Sequence, residues 1–346
     1  MLAAFILALA ATLPLIEALP SNAESKHRSD WDSTRHVIAF GDSYTFVQGI
    51  HGYPNYSFIG DQLNFEFDAR ILLSNKIVQN QTGTSTGGPN WVEYLTGCGL
   101  KQGLTSPLSC YRQLWNFAFA GAGVSAEHIP LHHPFTTSLV NQITQYKTYA
   151  HPVLTSTSRH ERPLLNTDET LVALWIGIND INDSADYADK TFYDTLLTTL
   201  FSSLETLQEL GFRDYLILNL PPLYRTPANQ AREPEDQSPH ATQVGWFNSA
   251  LAEHSRGFER QNPGSNVLLF DAHFVLNGIL DSPERYGILN TTDICPGAKQ
   301  PDIETEYEKY GCPTPVDTYF WYDAGHIGRR VHGVLAGALD HVLGGR

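Results

Sequence analysis

A chain of 346 residues with 42% hydrophobic content is long enough for a large α/β domain with a substantial core, and no repeat or low-complexity tract interrupts it. Its 37 acidic against 22 basic side chains leave a formal charge of −15, which argues against nucleic acid or an anionic membrane surface as partner. Two domains also fit the length, but no linker-like stretch divides the chain.

Residues 2–16 form an apolar run broken by Pro14 and closed by Glu17. That is short for a membrane span and typical of a signal-peptide core. Small residues at Ala18 and at Ser21 to Ala23 offer cleavage sites. The expectation is a signal peptide over residues 1–23, cut between 18 and 23, and a single domain over 24–346. No positive charge follows Met1, and the other reading of this segment is a buried N-terminal helix. No later stretch is apolar and long enough to span a bilayer, so a soluble, secreted, extracellular protein is expected.

His36 to Phe40 is an apolar run of the kind that fills a buried parallel strand, and it stops at Gly41-Asp42-Ser43. Residues 44–90 read as a long loop with a helical portion, and a short helix follows near Trp91 to Leu95. Leu114 to Ala120 is the second expected strand, ending in Gly121-Ala122-Gly123. Phe135 to Tyr149 reads as helix, and residues 150–168, with Pro152 and Pro163, as a polar loop. Leu171 to Gly177 is the strongest strand and ends in Ile178-Asn179-Asp180. Apolar positions from Phe192 to Leu210 recur with a period near 3.6, which marks an amphipathic helix stopped by Gly211. Tyr215 to Leu220 is a fourth strand, cut off by Pro221-Pro222. A helix over roughly 240–260, a fifth strand from Val267 to Phe270, an irregular stretch over 275–322 and a final helix over about 327–343 complete the chain. Strands alternating with helices imply a flavodoxin-like α/β/α sandwich around a parallel sheet of about five strands.

The four cysteines, Cys98, Cys110, Cys295 and Cys312, agree with secretion, and three pairings are possible. The two local pairings are preferred, because each closes a loop containing Pro or Gly. No clustered Cys/His spacing supports a metal site. Acceptor sequons for glycosylation stand at Asn55, Asn80, Asn182 and Asn290; chance matches to so short a pattern are common.

Parallel strands place the three Gly-bearing turns at one edge of the sheet, the usual place for chemistry. Asp323-Ala324-Gly325-His326 adds an acid and an imidazole three residues apart across a turn. That spacing brings a carboxylate to one ring nitrogen and leaves the other free to act as base for a serine hydroxyl, a poor nucleophile at neutral pH. The Gly121 N–H and the Asn179 amide are the kinds of donor an oxyanion requires. Singly, each motif has a plainer account: Gly121 to Gly123 as a close helix–sheet approach, Asn179 and Asp180 as helix caps. Asp271 and His273 form a rival acid–base pair, but an i, i+2 spacing does not turn one onto the other.

Taken in order, Ser43 in GDSY, Gly121 in NFAFAGA, Asn179 in GIND and His326 in DAGH resemble the four blocks of the SGNH (GDSL-type) hydrolases, over roughly residues 36–332. Within that superfamily, IAFGDSYT, LWIGINDI and LILNLPPLYRTP are similar to the fungal acetylesterases of carbohydrate-esterase family sixteen. The resemblance implies Ser43 as nucleophile, His326 as base, Asp323 as its orienting acid, and an oxyanion hole made by Ser43, Gly121 and Asn179. It implies no cofactor or metal, and an acetylated oligosaccharide or other small ester as substrate. Tyr44 replaces the Leu of GDSL, and Ile327-Gly328 follows His326 where a His-Pro pair is frequent. Asp42, Tyr44, Trp321 and Tyr322 lie next to the motifs as candidate substrate contacts; the aromatics, with Trp175, offer sugar-stacking faces, the other reading being that some of them, Trp175 in its strand above all, belong to the core. The alternatives are a GDSL-type lipase or phospholipase with a broad acyl cleft, and a non-catalytic carbohydrate-binding protein on the same fold. A monomer is assumed; the sequence says nothing of oligomeric state.

Overall fold

The computed structural model describes residues 31–60, 69–157 and 163–345. The expected signal peptide and its cleavage site lie outside the described residues.

Among the described residues nine strands are present: β1 His36–Gly41, β2 Ile77–Gln79, β3 Gly103–Thr105, β4 Gln113–Asn116, β5 Thr170–Trp175, β6 Asp214–Leu218, β7 Asn266–Phe270, β8 Asn290–Ile294 and β9 Tyr319–Trp321. Five of them make one sheet in the order β4-β1-β5-β6-β7, and every pairing in it is parallel. β1 and β5 are buried along their whole length, as continuous apolar runs in a covered parallel sheet must be. One helical layer comprises Leu139–Gln145, Lys190–Glu209 and Ala241–Gln261; the other comprises Trp91–Thr96, Ala272–Asp281 and Arg329–Leu343. This is the expected α/β/α sandwich. The chain leaves β1 towards β4, then crosses back to lay β5 on the other side of β1. The crevice beyond the carboxyl ends of β1 and β5 is therefore the topological switch point.

Several boundaries differ from the sequence reading. β4 stops at Asn116 rather than Ala120, although the Phe117 and Phe119 N–H groups still donate to the Ala39 and Gly41 carbonyls at 2.7 and 3.0 Å. The helix expected over 135–149 instead runs from Leu139 through a π-helical stretch, Tyr146–Ala150, and on to Leu154. Pro152 does not end it, because it stands in the first turn of the last segment, where no helical N–H is required. The expected loop therefore begins after Leu154 rather than at 150; the described residues 155–157 and 163–166 carry no helix or strand. Ile178–Ser184 and Ala272–Asp281 are helices, and part of the expected irregular stretch is a parallel pair, β8 with β9. Disulfides join Cys98 to Cys110 and Cys295 to Cys312, the two local pairings, with Cα separations of 5.5 and 5.1 Å.

Candidate active site

The turn after β1 is built before any chemistry is asked of it. Gly41 adopts φ +151°, and a Cβ there would overlap the Trp175 carbonyl oxygen at the end of β5. The buried Gln142 amide brackets the same glycine: its Oε1 accepts the Gly41 N–H at 3.0 Å and its Nε2 donates to the Gly41 carbonyl at 2.8 Å. The Asp42 carbonyl accepts the Thr45 and Phe46 N–H groups, closing a helical turn directly behind Ser43. Asn90 and Asn116 side chains then donate to the Thr45 carbonyl at 3.0 and 2.7 Å. A short segment with no strand or long helix of its own is thereby held from three sides.

At this turn three side chains line up. Ser43 Oγ lies 2.7 Å from His326 Nε2, and His326 Nδ1 lies 2.8 Å from Asp323 Oδ1. An ionised carboxylate only accepts, so Nδ1 carries the ring proton and Nε2 accepts from the serine hydroxyl. Burial opposes ionisation of Asp323. The hydrogen bond and charge of His326, with the Gly325 and His326 N–H groups at 3.0 and 2.9 Å, outweigh it and hold the carboxyl below its ordinary range. The rival Asp271 caps the helix Ala272–Asp281 by accepting the Phe274 N–H at 2.9 Å, while the His273 ring faces the Tyr224 hydroxyl at 3.3 Å. Those two line a separate cleft of about 550 Å³ beyond β6 and β7 and do not bond each other.

Gly121 has φ +81°, a left-handed conformation that suits glycine. Asn179, in the first turn of Ile178–Ser184, uses one amide hydrogen to hold the Ala122 carbonyl at 2.8 Å and keeps a second. Neither the Ser43 nor the Gly121 N–H donates to a protein acceptor among the described residues.

The expected substrate contacts fare differently. Asp42 is fully buried; its Oδ1 accepts the Tyr44 N–H at 2.9 Å and its Oδ2 has no partner. Burial pushes this carboxyl up to about 7, against the Tyr44 N–H and the His326 charge, with Asp180 adding to the rise. Tyr44, Trp321 and Tyr322 are also buried, as is Trp175. Tyr44 is enclosed by Trp175, His326 and His332, and its hydroxyl donates to the Gly325 carbonyl at 2.6 Å. Trp321 donates to the Thr291 carbonyl at 2.9 Å, and the Tyr322 ring lies against Gly87. The expectation of sugar-stacking faces on these rings is corrected: the core covers them. Of the sequon residues, Asn55, Asn80 and Asn182 are exposed and Asn290 is half-buried.

Sequence reasoning missed Gln142, Asp183 and His132, and read Asp180 only as a helix cap. Asp180 is fully buried, takes the Val124 N–H on both oxygens at 2.9 and 3.2 Å, and is raised by burial to about 7. Asp183 binds His132 Nε2 at 2.6 Å. Asp183 stands one helical turn beyond Asn179, a signal available once a helix is started at Ile178; nothing local marks Gln142 or His132.

A doubly wound sheet with a hydroxyl, imidazole and carboxylate in line at its switch point is an arrangement that can carry out acyl transfer. A family model described as GDSL-like Lipase/Acylhydrolase matches residues 37–336, and the chain belongs to that family; it is a carboxylic ester hydrolase. It is 31% identical to an acetylesterase of Thermothelomyces thermophilus over 268 residues, covering 75% of this chain and 78% of that protein. It is 23% identical to an acetylesterase of Hypocrea jecorina, covering 94% and 93%. A solved acetyl xylan esterase structure aligns over 88% of this chain and 97% of its own at 13% identity, with a TM-score of 0.36, too low to bear on fold or activity.

Proposed function

We propose that the protein is a secreted serine esterase that removes acetyl groups from carbohydrate through an acyl-Ser43 intermediate. The observation that carries the mechanism is the continuous hydrogen-bond chain Ser43–His326–Asp323, at 2.7 and 2.8 Å. His326 Nε2 takes the hydroxyl proton as Ser43 Oγ attacks the ester carbonyl, and Asp323 stabilises the imidazolium that forms. The N–H groups of Ser43 and Gly121 and the free amide hydrogen of Asn179 bind the oxyanion. His326 then protonates the departing alcohol, and water activated by the same nitrogen releases acetate and restores Ser43. The acetyl and carbohydrate assignment is supported by the acetylesterase relatives and by the motif resemblance. Two disulfides and the apolar run at residues 2–16 favour secretion with removal of residues 1–23. Among the described residues no helix is long and apolar enough to cross a membrane.

The test combines acyl-chain length with acetate release. A small acyl pocket gives kcat/KM falling from acetyl to octanoyl esters, whereas an open apolar groove gains ~0.8 kcal/mol per buried methylene and gives the opposite slope. A rising slope with no acetate released from acetylated xylo-oligosaccharides refutes the carbohydrate reading and favours the lipase alternative. Ser43→Ala is expected to fold and to lose turnover to near background; wild-type turnover in that variant refutes the nucleophile assignment.

A further inference from the structure

The chemistry proposed above leaves His132 without a role, although this side chain stands directly beside the oxyanion donors. Asn179 and Asp183 are four apart on the helix Ile178–Ser184 and so share a face. Asn179 reaches the Ala122 carbonyl, and Asp183 Oδ2 takes His132 Nε2 at 2.6 Å. Because the carboxylate accepts, Nε2 carries the proton and the ring is fixed in orientation. Its other nitrogen, Nδ1, has no partner among the described residues, and it lies 3.1 Å from where a Cβ on Gly121 would stand. The imidazole is thus a wall on the Gly121 side of the site, and its side chain is 37% exposed.

The loop that carries it is braced. His133 stacks on Phe135 at 4.8 Å, and Phe135 on Tyr53 at 4.1 Å. Tyr56 meets this stack edge-on, and its carbonyl holds the Ala120 N–H at 2.9 Å, next to Gly121. The His133 N–H donates to Thr136 Oγ1 at 3.2 Å, and the Thr136 N–H returns to the His133 carbonyl at 3.0 Å. His132 is therefore held in place, with Nδ1 turned towards Gly121 and part of the ring open to solvent.

We propose that His132 is a specificity-determining residue of this esterase, presenting Nδ1 to a hydroxyl of a neutral polyol ester next to the acetyl group being removed. The proposal rests on Ser43 being the acylated residue. A hydroxyl suits this nitrogen in either protonation state: it donates to neutral Nδ1 and accepts from Nδ1–H when the ring is charged. A carboxylate-bearing substrate matches only the charged ring, and it would also meet the carboxylate of Asp183 and the field of a chain carrying −15 overall. An unsubstituted alkyl ester would cover Nδ1 and give it no partner, a desolvation penalty without return. The half-buried Tyr53, Tyr56 and Phe135 beside it offer apolar edges for the C–H groups of a sugar ring.

The test is the ratio of kcat/KM for an acetylated xylobiose to that for 4-nitrophenyl acetate, in wild type, His132→Ala and His132→Gln. One neutral hydrogen bond to substrate corresponds to about a fivefold to tenfold fall in that ratio for His132→Ala, carried mainly by KM on the sugar ester. His132→Gln, which keeps a donor and an acceptor, is expected to recover part of it. An unchanged ratio in His132→Ala, including equal losses on both esters, overturns the proposal. A wild-type enzyme that cleaves the aryl acetate but not the sugar acetate overturns the carbohydrate reading, and this inference with it.

Discussion

Tyr44→Phe removes one oxygen atom and tests how the two halves of the site are joined. The Tyr44 hydroxyl donates at 2.6 Å to the carbonyl of Gly325, in the turn that carries Asp323 and His326. The ring itself packs 5.1 Å from Trp175 and 5.4 Å from His326, centroid to centroid, and phenylalanine preserves that packing. Burial, then the charges of Asp323 and Asp42, raise the phenol well above its ordinary range, so it is a neutral donor at every working pH. The substitution leaves the Gly325 carbonyl without its partner, which costs about 1–3 kcal/mol. For a domain of this size that lowers Tm by a few degrees, about 2–5 °C. The freed turn lets the imidazole drift from Ser43, and a misplacement approaching 1 Å can cost up to about 10²-fold, so a fall in kcat of about tenfold is expected with KM little changed. Thermal unfolding and steady-state kinetics on an acetyl ester read the two effects separately. A variant with wild-type Tm and kcat would falsify the tether; a lower Tm with unchanged kcat would leave Tyr44 a stability element with no hold on the base.

Asn179→Ala is expected to lower kcat by about 10²–10³, the usual effect of deleting one oxyanion donor, with little change in KM. An unchanged kcat, measured under saturating substrate, returns Asn179 to holding the Ala122 carbonyl and nothing more. Asp42→Asn probes the buried carboxyl behind the nucleophile. Its folded value, about 7, lies above its ordinary 3.8, so the folded state binds this proton more tightly than the unfolded state. The stabilisation is complete below about pH 4 and is lost as pH rises through 7. The stability of Asp42→Asn relative to wild type should therefore improve between pH 4 and 7, by at most ~1.4 kcal/mol per pH unit. A pH-independent difference in urea unfolding midpoints and m-values sinks that account.

The five-stranded sheet and the placement of its polar turns were legible in the sequence for a local reason. A strand buried on both faces must be apolar throughout, and the chain breaks such runs with glycine and polar turns, as at Gly41, Gly121 and Gly177. Parallel connectivity then collects those turns at one edge without any tertiary information. The Asp323–His326 contact was equally local, since three residues and a turn suffice to make it. The two disulfides, each closing a short loop, belong with it.

Burial in three dimensions decided the rest. Periodicity reports whether a residue faces the core, but not what stands against it, so Tyr44, Trp321 and Tyr322 looked like free faces beside the motifs and proved to be enclosed. The Gln142 bracket on Gly41 joins residues 101 apart in sequence, and the Tyr44 tether to Gly325 joins residues 281 apart. Asp42 read as a candidate substrate contact and Asp180 as a helix cap; only the layers packed over them remove the water and raise their carboxyls. Local chemistry named the candidate reacting groups, whereas the distance and charge relations among them arise only when chain segments far apart are packed into one crevice.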